Sequence, residues 1–140
     1  MWQVLRARAL AVAFLGCALA ACDSTTPTTP TAPAPTTTTP FSGTITLNGA
    51  STHTFSTQAG GTVTATLTSV GREGQRVGFA MGNWFNSFCS IVVANDQAQQ
   101  GAVISGNITG ASQLCVRIYD PNGTLEDGPV SYSVEVVHPQ

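Results

Sequence analysis

The feature that most constrains this chain is a repeated two-residue alternation of apolar and polar side chains. In residues 62–69, Val63, Ala65 and Leu67 alternate with threonines. Successive side chains of a β-strand point to opposite faces, so this period places the apolar residues on one face and the hydroxyls on the other. Such a stretch suits the pleated, half-buried surface of a β-sheet.

The same alternation recurs through the rest of the chain, and short runs rich in Gly, Asn and Asp separate the repeats. Eight candidate strands result, near residues 43–48, 52–57, 62–69, 76–81, 88–94, 101–105, 113–119 and 131–137. Many short strands at even spacing, without helix signals, predict an all-β fold. We expect an antiparallel β-sandwich of about eight strands with jelly-roll or Greek-key connections.

The beginning of the chain has a different character. Arg6 and Arg8 precede an apolar run over residues 9–19, and small residues follow it. A basic head, a short apolar stretch and small residues form the layout of a secretory signal peptide. The run is shorter than the ~20 apolar residues that a membrane span needs.

Four residues at the end of this segment sharpen the prediction. The sequence Leu19-Ala20-Ala21-Cys22 resembles the lipobox of bacterial lipoproteins. The resemblance implies that residues 1–21 are removed as a signal peptide and that Cys22 carries a diacylglyceryl thioether, with acyl chains such as palmitate. Two acyl chains anchor a protein firmly, whereas one binds only marginally. The expected location is the cell envelope, on the periplasmic or extracellular side of either membrane.

The residues after Cys22 are dominated by threonine and proline. Asp23 to Pro40 holds nine Thr and five Pro, and no apolar residue larger than Ala or Pro. Such a segment has no large side chain to bury and predicts a disordered, extended linker. The predicted organisation is a signal peptide over 1–21, a lipidated cysteine and linker over 22–40, and a β-sandwich domain over 41–140.

Charge and cysteine usage exclude some functions. Three arginines, seven carboxylates and no lysine follow Cys22, so the clustered positive charge that nucleic-acid binding needs is missing. Once Cys17 and Cys22 are set aside, Cys89 and Cys115 remain. Disulfides persist in exported proteins, and the spacing of this pair matches no metal or redox motif. We therefore predict a disulfide between the fifth and seventh strands.

Several stretches resemble bacterial pre-peptidase C-terminal domains. Residues 43–47, 52–55 and 60–67 resemble the opening strands of that family, and residues 114–120 and 132–136 resemble its closing pair. The resemblance implies a non-catalytic β-sandwich, in a family implicated in substrate attachment and calcium binding. Members often accompany a peptidase, whereas only the leader and linker are predicted before the sandwich here, so we do not expect a role as helper to an attached enzyme.

No catalytic motif is present. The chain lacks Gly-x-Ser-x-Gly, HExxH and phosphate-binding glycine loops, and has only two histidines. We expect His53 to be a partly buried structural residue on a strand, and His138 to lie in a frayed C-terminus. The sequence therefore predicts a protein that is not an enzyme.

One loop offers oxygen ligands for a cation. Asp120, Asn122 and Asp127 are weak calcium candidates because calcium prefers carboxylate and carbonyl oxygens. Their spacing does not match an EF-hand, and Asp-Pro-Asn-Gly is also an ordinary turn signal. No other cofactor is expected.

Residues 82–89, GNWFNSFC, form the most unusual stretch. Trp84 and Phe85 are the candidate binding residues, because aromatic side chains on loops can stack on sugars or anchor a protein partner. The alternative is that the pair caps one end of the core near Cys89.

The favoured function is a lipid-anchored envelope protein that presents a non-catalytic binding or accessory module to a protein or polysaccharide partner. One alternative is a purely structural spacer without a specific ligand. A second alternative is an enzyme whose site carries no recognised motif.

Overall fold

All regular structure in the described part of the chain is β-strand. A computed structural model describes residues 32–125 and 128–140. Eight strands follow one another as β1 (Thr36–Ile45), β2 (Ala50–Thr57), β3 (Gly61–Val70), β4 (Val77–Phe85), β5 (Phe88–Ala98), β6 (Val103–Ile108), β7 (Ser112–Tyr119) and β8 (Val130–Pro139). The predicted signal peptide and Cys22 lie outside the described residues. Within the described ranges, no helix is long and apolar enough to cross a membrane.

The strands form two four-stranded antiparallel sheets. One has the order β1-β8-β3-β6 and the other has the order β2-β7-β4-β5. This is the strand order of a jelly roll, so the predicted eight-stranded sandwich is confirmed. Successive strands alternate in direction. The β2–β3, β4–β5 and β6–β7 connections therefore lie at one end, which we call the tip end, and the other connections lie at the opposite, charged end.

The core fills the space between the two sheets. The predicted apolar face of β3 is confirmed, because Val63, Ala65 and Leu67 are almost completely buried. Side chains from both sheets complete this cluster, chiefly Val77, Phe79, Leu114, Val116, Ile118, Tyr132, Val134 and Val136. Removal of this apolar surface from water is the main favourable contribution to folding.

The first strand begins earlier than the sequence predicts. β1 starts at Thr36, so Thr36 to Pro40 belong to the sandwich and not to a disordered linker. These residues pair with β8 in the register Thr36–Pro139 to Pro40–Glu135. Threonine favours strands, and proline is tolerated on an edge strand such as β1. The Thr/Pro composition alone therefore gave the wrong boundary.

The turn between β4 and β5 also differs from the prediction. The fourth predicted strand ends at residue 81, but β4 continues to Phe85, and the chain reverses at Asn86 and Ser87, whose φ angles are +48° and +61°. Two positive φ angles define the tight hairpin turn that matches the twist of the strands. Gly82 lies where β5 shifts register, and a Cβ there would overlap the Ser90 carbonyl.

A disulfide joins Cys89 to Cys115, as predicted. The two cysteines lie on β5 and β7, which flank β4 in the same sheet. Cys115 pairs with Gly82 and Cys89 pairs with Trp84, so the bond crosses β4 on the face away from the core. It therefore ties the β4–β5 hairpin to the centre of its sheet.

Candidate functional site

The two edges of the sandwich differ in how side chains fill the gap between the sheets. We call the edge formed by β1 and β2 the closed edge, and the edge formed by β5 and β6 the open edge. At the closed edge, the ring of Phe41 stacks on His53 with 4.9 Å between centroids. His53 Nε2 lies 2.7 Å from the hydroxyl of Tyr132, which comes from the opposite sheet. These contacts fill the gap between the sheets.

The second histidine belongs to the same closed edge. His138 is buried, and its Nε2 atom lies 3.0 Å from Thr39 Oγ1. Its ring centroid is 5.2 Å from that of Phe55. The expected fraying at this position is wrong, because β8 pairs with β1 as far as Pro139.

The histidines of the closed edge do not form a catalytic arrangement. Burial lowers the pKa of His53 and favours its neutral form. Tyr132, beside it, has a pKa raised by burial. Within residues 32–125 and 128–140, no group of three or more His, Cys, Asp or Glu is placed to hold a metal ion. The side chains of the closed edge therefore serve to pack the two sheets against each other.

The open edge has no such closure. A groove of about 130 Å³ lies between the two sheets here, and its apolar lining is Val63, Met81, Val92, Val93, Ile108 and Leu114. Val92 on β5 is 72% exposed and Val103 on β6 is 56% exposed. Each strand is paired on one side only, so a row of backbone groups and an apolar groove face outward together.

The tip of the β4–β5 hairpin carries exposed aromatic side chains. Phe85 and Phe88 flank the turn and are 70% and 64% exposed. Trp84 precedes them and is half-buried on the face that carries the disulfide. Phe85 therefore does not cap the core. Sequence reasoning missed Phe88, which becomes the cross-strand partner of Phe85 only once the two-residue turn is known.

The β4–β5 hairpin is uncharged over most of its length. No Asp, Glu, Lys or Arg occurs from Val77 to Asn95, and Arg76 and Asp96 bracket this stretch. A contiguous neutral surface with several exposed apolar side chains is typical of an interaction site.

The charged end has the opposite character. A cleft of about 300 Å³ lies here, lined in part by Arg72, Glu73, Arg76, Asp96, Gln97 and Asn122. The guanidinium of Arg76 donates to Gln97 Oε1 at 3.4 Å, and the hydroxyl of Tyr119 donates to Asp96. Burial and the adjacent Asp96 raise the pKa of Tyr119 to about 12. Arg76, Gln97 and Asp96 in this cleft are therefore already engaged in hydrogen bonds.

Of the calcium candidates, Asp120 has a clear structural role. Its carboxylate accepts backbone N–H groups from Asn48 at 3.0 Å, Thr124 at 2.9 Å and Leu125 at 3.3 Å. Burial opposes ionisation, but these backbone hydrogen bonds outweigh it and lower the pKa of Asp120. Both oxygens are thus occupied in tying two loops together. Asn122 is exposed, Asp127 lies outside the described residues, and calcium binding stays a prediction.

Comparison with known proteins gives a fold and no family. The chain matches no protein-family model, so the resemblance to pre-peptidase C-terminal domains stays a prediction. No curated protein has a matching sequence. The fold is similar to that of Aeromonas hydrophila PliG, described as a periplasmic lysozyme inhibitor of g-type lysozyme, with a TM-score of 0.51. The two are 15% identical over 74% of this chain and 86% of PliG, so the likeness concerns the fold.

Proposed function

We propose that this protein is a lipid-anchored component of the bacterial cell envelope that presents its jelly roll as a non-catalytic binding module for a protein partner. The signal peptide over residues 1–21 and the acylated Cys22 place the jelly roll on the periplasmic or extracellular side of a membrane. The observation that carries the binding role is the open edge, where an apolar groove adjoins two edge strands that are each paired on one side only.

The open edge lacks two of the features that commonly prevent strand pairing, although β5 has two shifts of register. Edge strands of monomeric proteins often carry charges or proline, contain bulges, or are very short. β5 spans eleven residues, Phe88–Ala98, and its first eight are uncharged. The six residues of β6, Val103–Ile108, are uncharged as well. An extended segment of a partner can pair with such an edge while its side chains enter the groove.

A protein fits this surface better than a polysaccharide. The groove lining is mainly apolar, and desolvated apolar pockets are where protein partners place their anchor residues. The similarity in fold to PliG makes g-type lysozyme the first protein to test. Trp84 and Phe85 remain proposed contact residues, at the tip of the hairpin whose β5 strand forms the open edge.

The binding experiment compares one open-edge variant with one control. Affinity for g-type lysozyme is measured by calorimetry with the purified full-length chain, with Val92→Asp, and with Leu47→Asp, which replaces an exposed side chain in the β1–β2 connection. We expect Val92→Asp to weaken binding about tenfold or more, or ~1.4 kcal/mol. Equal affinities in all three proteins would exclude the open edge as the lysozyme site.

If the partner is a protein other than lysozyme, it can be identified by crosslinking from the same open edge. A photo-crosslinking residue at position 92 is compared with one at position 47 in cells that express the full-length chain. Adducts specific to position 92 support the binding module. Absence of both lysozyme binding and specific adducts would favour the alternative of a spacer without a ligand.

The anchor has its own test. Mass spectrometry of the membrane-extracted protein is expected to show an N-terminal Cys22 with attached acyl chains. Cys22→Ser is expected to release the protein from the membrane fraction, because the acyl chains provide the hydrophobic area for binding. An unmodified thiol at position 22 would contradict the anchor and leave the open-edge proposal standing.

A further inference from the structure

The tip of the β4–β5 hairpin projects two aromatic side chains from a rigid support. Phe85 and Phe88 are cross-strand neighbours on either side of the turn, and most of each ring surface is exposed. The residue after Phe88 is Cys89, which the disulfide fixes to β7. The two rings are therefore held outward without the entropy cost of ordering a loop.

The loops at the tip end carry no charged side chain. Besides the hairpin turn, this end is formed by the connections at residues 58–60 and 109–111, and neither contains a charged side chain. Charged side chains in the described residues lie mainly at the opposite end, namely Arg72, Glu73, Arg76, Asp96 and Asp120. The long axis of the sandwich thus runs from a charged end to an uncharged aromatic one.

The chain also enters the sandwich at the tip end. Thr36, the first residue of β1, pairs with Pro139 at the end of β8, and β8 runs from the charged end to the tip end. The preceding Thr/Pro segment therefore joins the domain at the same end as the aromatic tip, but at the closed edge, whereas the β4–β5 hairpin lies toward the open edge. In the polyproline II conformation, residues 23–35 would span roughly 40 Å at ~3.1 Å per residue. A lipid on Cys22 therefore limits how far this end of the domain can lie from the bilayer.

We propose that the tip contacts the bilayer that holds Cys22, with Phe85 and Phe88 inserted among the head groups of uncharged phospholipids. The inference rests on the proposed lipid anchor, and it assigns the bilayer as the partner of the exposed aromatic residues at the tip. Phenylalanine is among the side chains that bury at the boundary between head groups and acyl chains, and no charged side chain of the tip loops has to be desolvated. The tip has no basic residue, so contact does not depend on anionic lipid or on salt. The open edge remains accessible along the side of the molecule.

The chain contains a reporter for this contact. Trp2 and Trp84 are its two tryptophans, and Trp2 lies in the proposed signal peptide, so Trp84 is the sole indole of the lipidated protein that begins at Cys22. The lipidated protein is reconstituted into phosphatidylcholine vesicles, with or without bromine atoms on the acyl chains near the head group. Insertion is expected to shift Trp84 emission to shorter wavelength and to make it sensitive to bromine quenching, at low and at high salt alike.

Matched variants separate the tip from exposed apolar residues in general. Phe85→Asp combined with Phe88→Asp is expected to abolish the bromine quenching. Leu47→Asp and Val103→Asp replace exposed apolar residues at the charged end and are expected to leave quenching unchanged. All four positions are exposed, and the melting temperature of each variant verifies that it folds.

The outcomes distinguish this inference from the proposed function. Recovery of the protein with the vesicles but without quenching overturns the tip contact and leaves the anchor intact, and a tip that binds a protein would give that result. Failure of the protein to associate with vesicles overturns the anchor on which the tip contact rests. Equal loss of quenching in the tip and charged-end variants also overturns the proposal.

Discussion

The closed and open edges of this jelly roll show two ways to end a sheet. At the closed edge, Phe41, His53 and Tyr132 bridge the sheets through ring stacking and a hydrogen bond. At the open edge, the corresponding space is a groove, and Val92 projects into solvent. Each edge is formed by one outer strand from each four-stranded sheet, so the strand order alone does not require this difference.

The two edges differ in what stabilises them. Aromatic side chains exclude water from the closed edge, and both histidines are used there as packed, hydrogen-bonded groups. The open edge is stabilised by a covalent bond instead, because the disulfide ties β5 to β7. A disulfide holds an edge strand in place without covering its outer face.

The largest expected effect comes from removing that bond. Replacement of both Cys89 and Cys115 with alanine is expected to lower the free energy of unfolding by ~3–4 kcal/mol, as the chain-entropy model predicts for a loop of this length. Denaturant unfolding of the full-length variant measures the loss, with the reduced wild-type protein as control. A loss below ~1 kcal/mol would mean that packing alone holds the open edge.

A pair of glycines tests the packing of the two edges directly. A Cβ at Gly43 would lie 2.6 Å from the Tyr132 hydroxyl, whereas one at Gly106 would lie 3.6 Å from Met81 Cε, an ordinary contact. Gly43→Ala is expected to destabilise the protein by roughly 1–3 kcal/mol through overpacking. Gly106→Ala is expected to be neutral or stabilising by up to ~1 kcal/mol, because alanine loses less conformational entropy. Equal melting temperatures for the two variants would remove the distinction between the edges.

The closed edge is also expected to be the more sensitive to acid. Burial lowers the pKa of His53 below its ordinary value of 6.5, so the unfolded chain binds the proton first as pH falls. This contribution to stability is present above pH 6.5 and is lost as the pH falls through the lowered pKa of the folded state. Melting temperatures are measured across this range for the wild-type protein and for His53→Gln, which should show a shallower dependence. An identical slope would exclude His53 as the titrating group.

The smallest effect on stability is expected at the open edge. Val92 is 72% exposed, so Val92→Asp removes little buried apolar area. Its melting temperature should correspond to a change within about 0.5 kcal/mol. A larger loss would show that Val92 supports the core, and its effect on lysozyme binding would then report folding and not contact.

The sequence predicted the parts of this structure that depend on local patterns. The alternation of Val63, Ala65 and Leu67 with threonines specified β3 and its buried face. All eight predicted strands exist, and the pairing of Cys89 with Cys115 followed from having only two cysteines left. The two-residue alternation and the setting aside of two cysteines can both be recognised without knowing which residues lie close together in the fold.

The features that the sequence did not reveal depend on distant neighbours. β1 begins at Thr36 because β8 provides a partner strand, and the Thr/Pro composition gave no sign of it. The contact between His53 and Tyr132 joins residues 79 positions apart. The exposure of Phe85 and Phe88 follows from the two-residue turn that pairs them, and the position of that turn depends on how far β4 and β5 pair.

The ten-residue register between β1 and β8 has a mechanical consequence. Tension that reaches the domain through the residues before Thr36 acts on an edge strand along its own axis. If the load is held at the opposite end of the molecule, the hydrogen bonds of this ladder are strained in shear and share the force, whereas peeling would break them one at a time. The first strand would then act as the part of the domain that carries a pull between a fixed membrane and a moving partner.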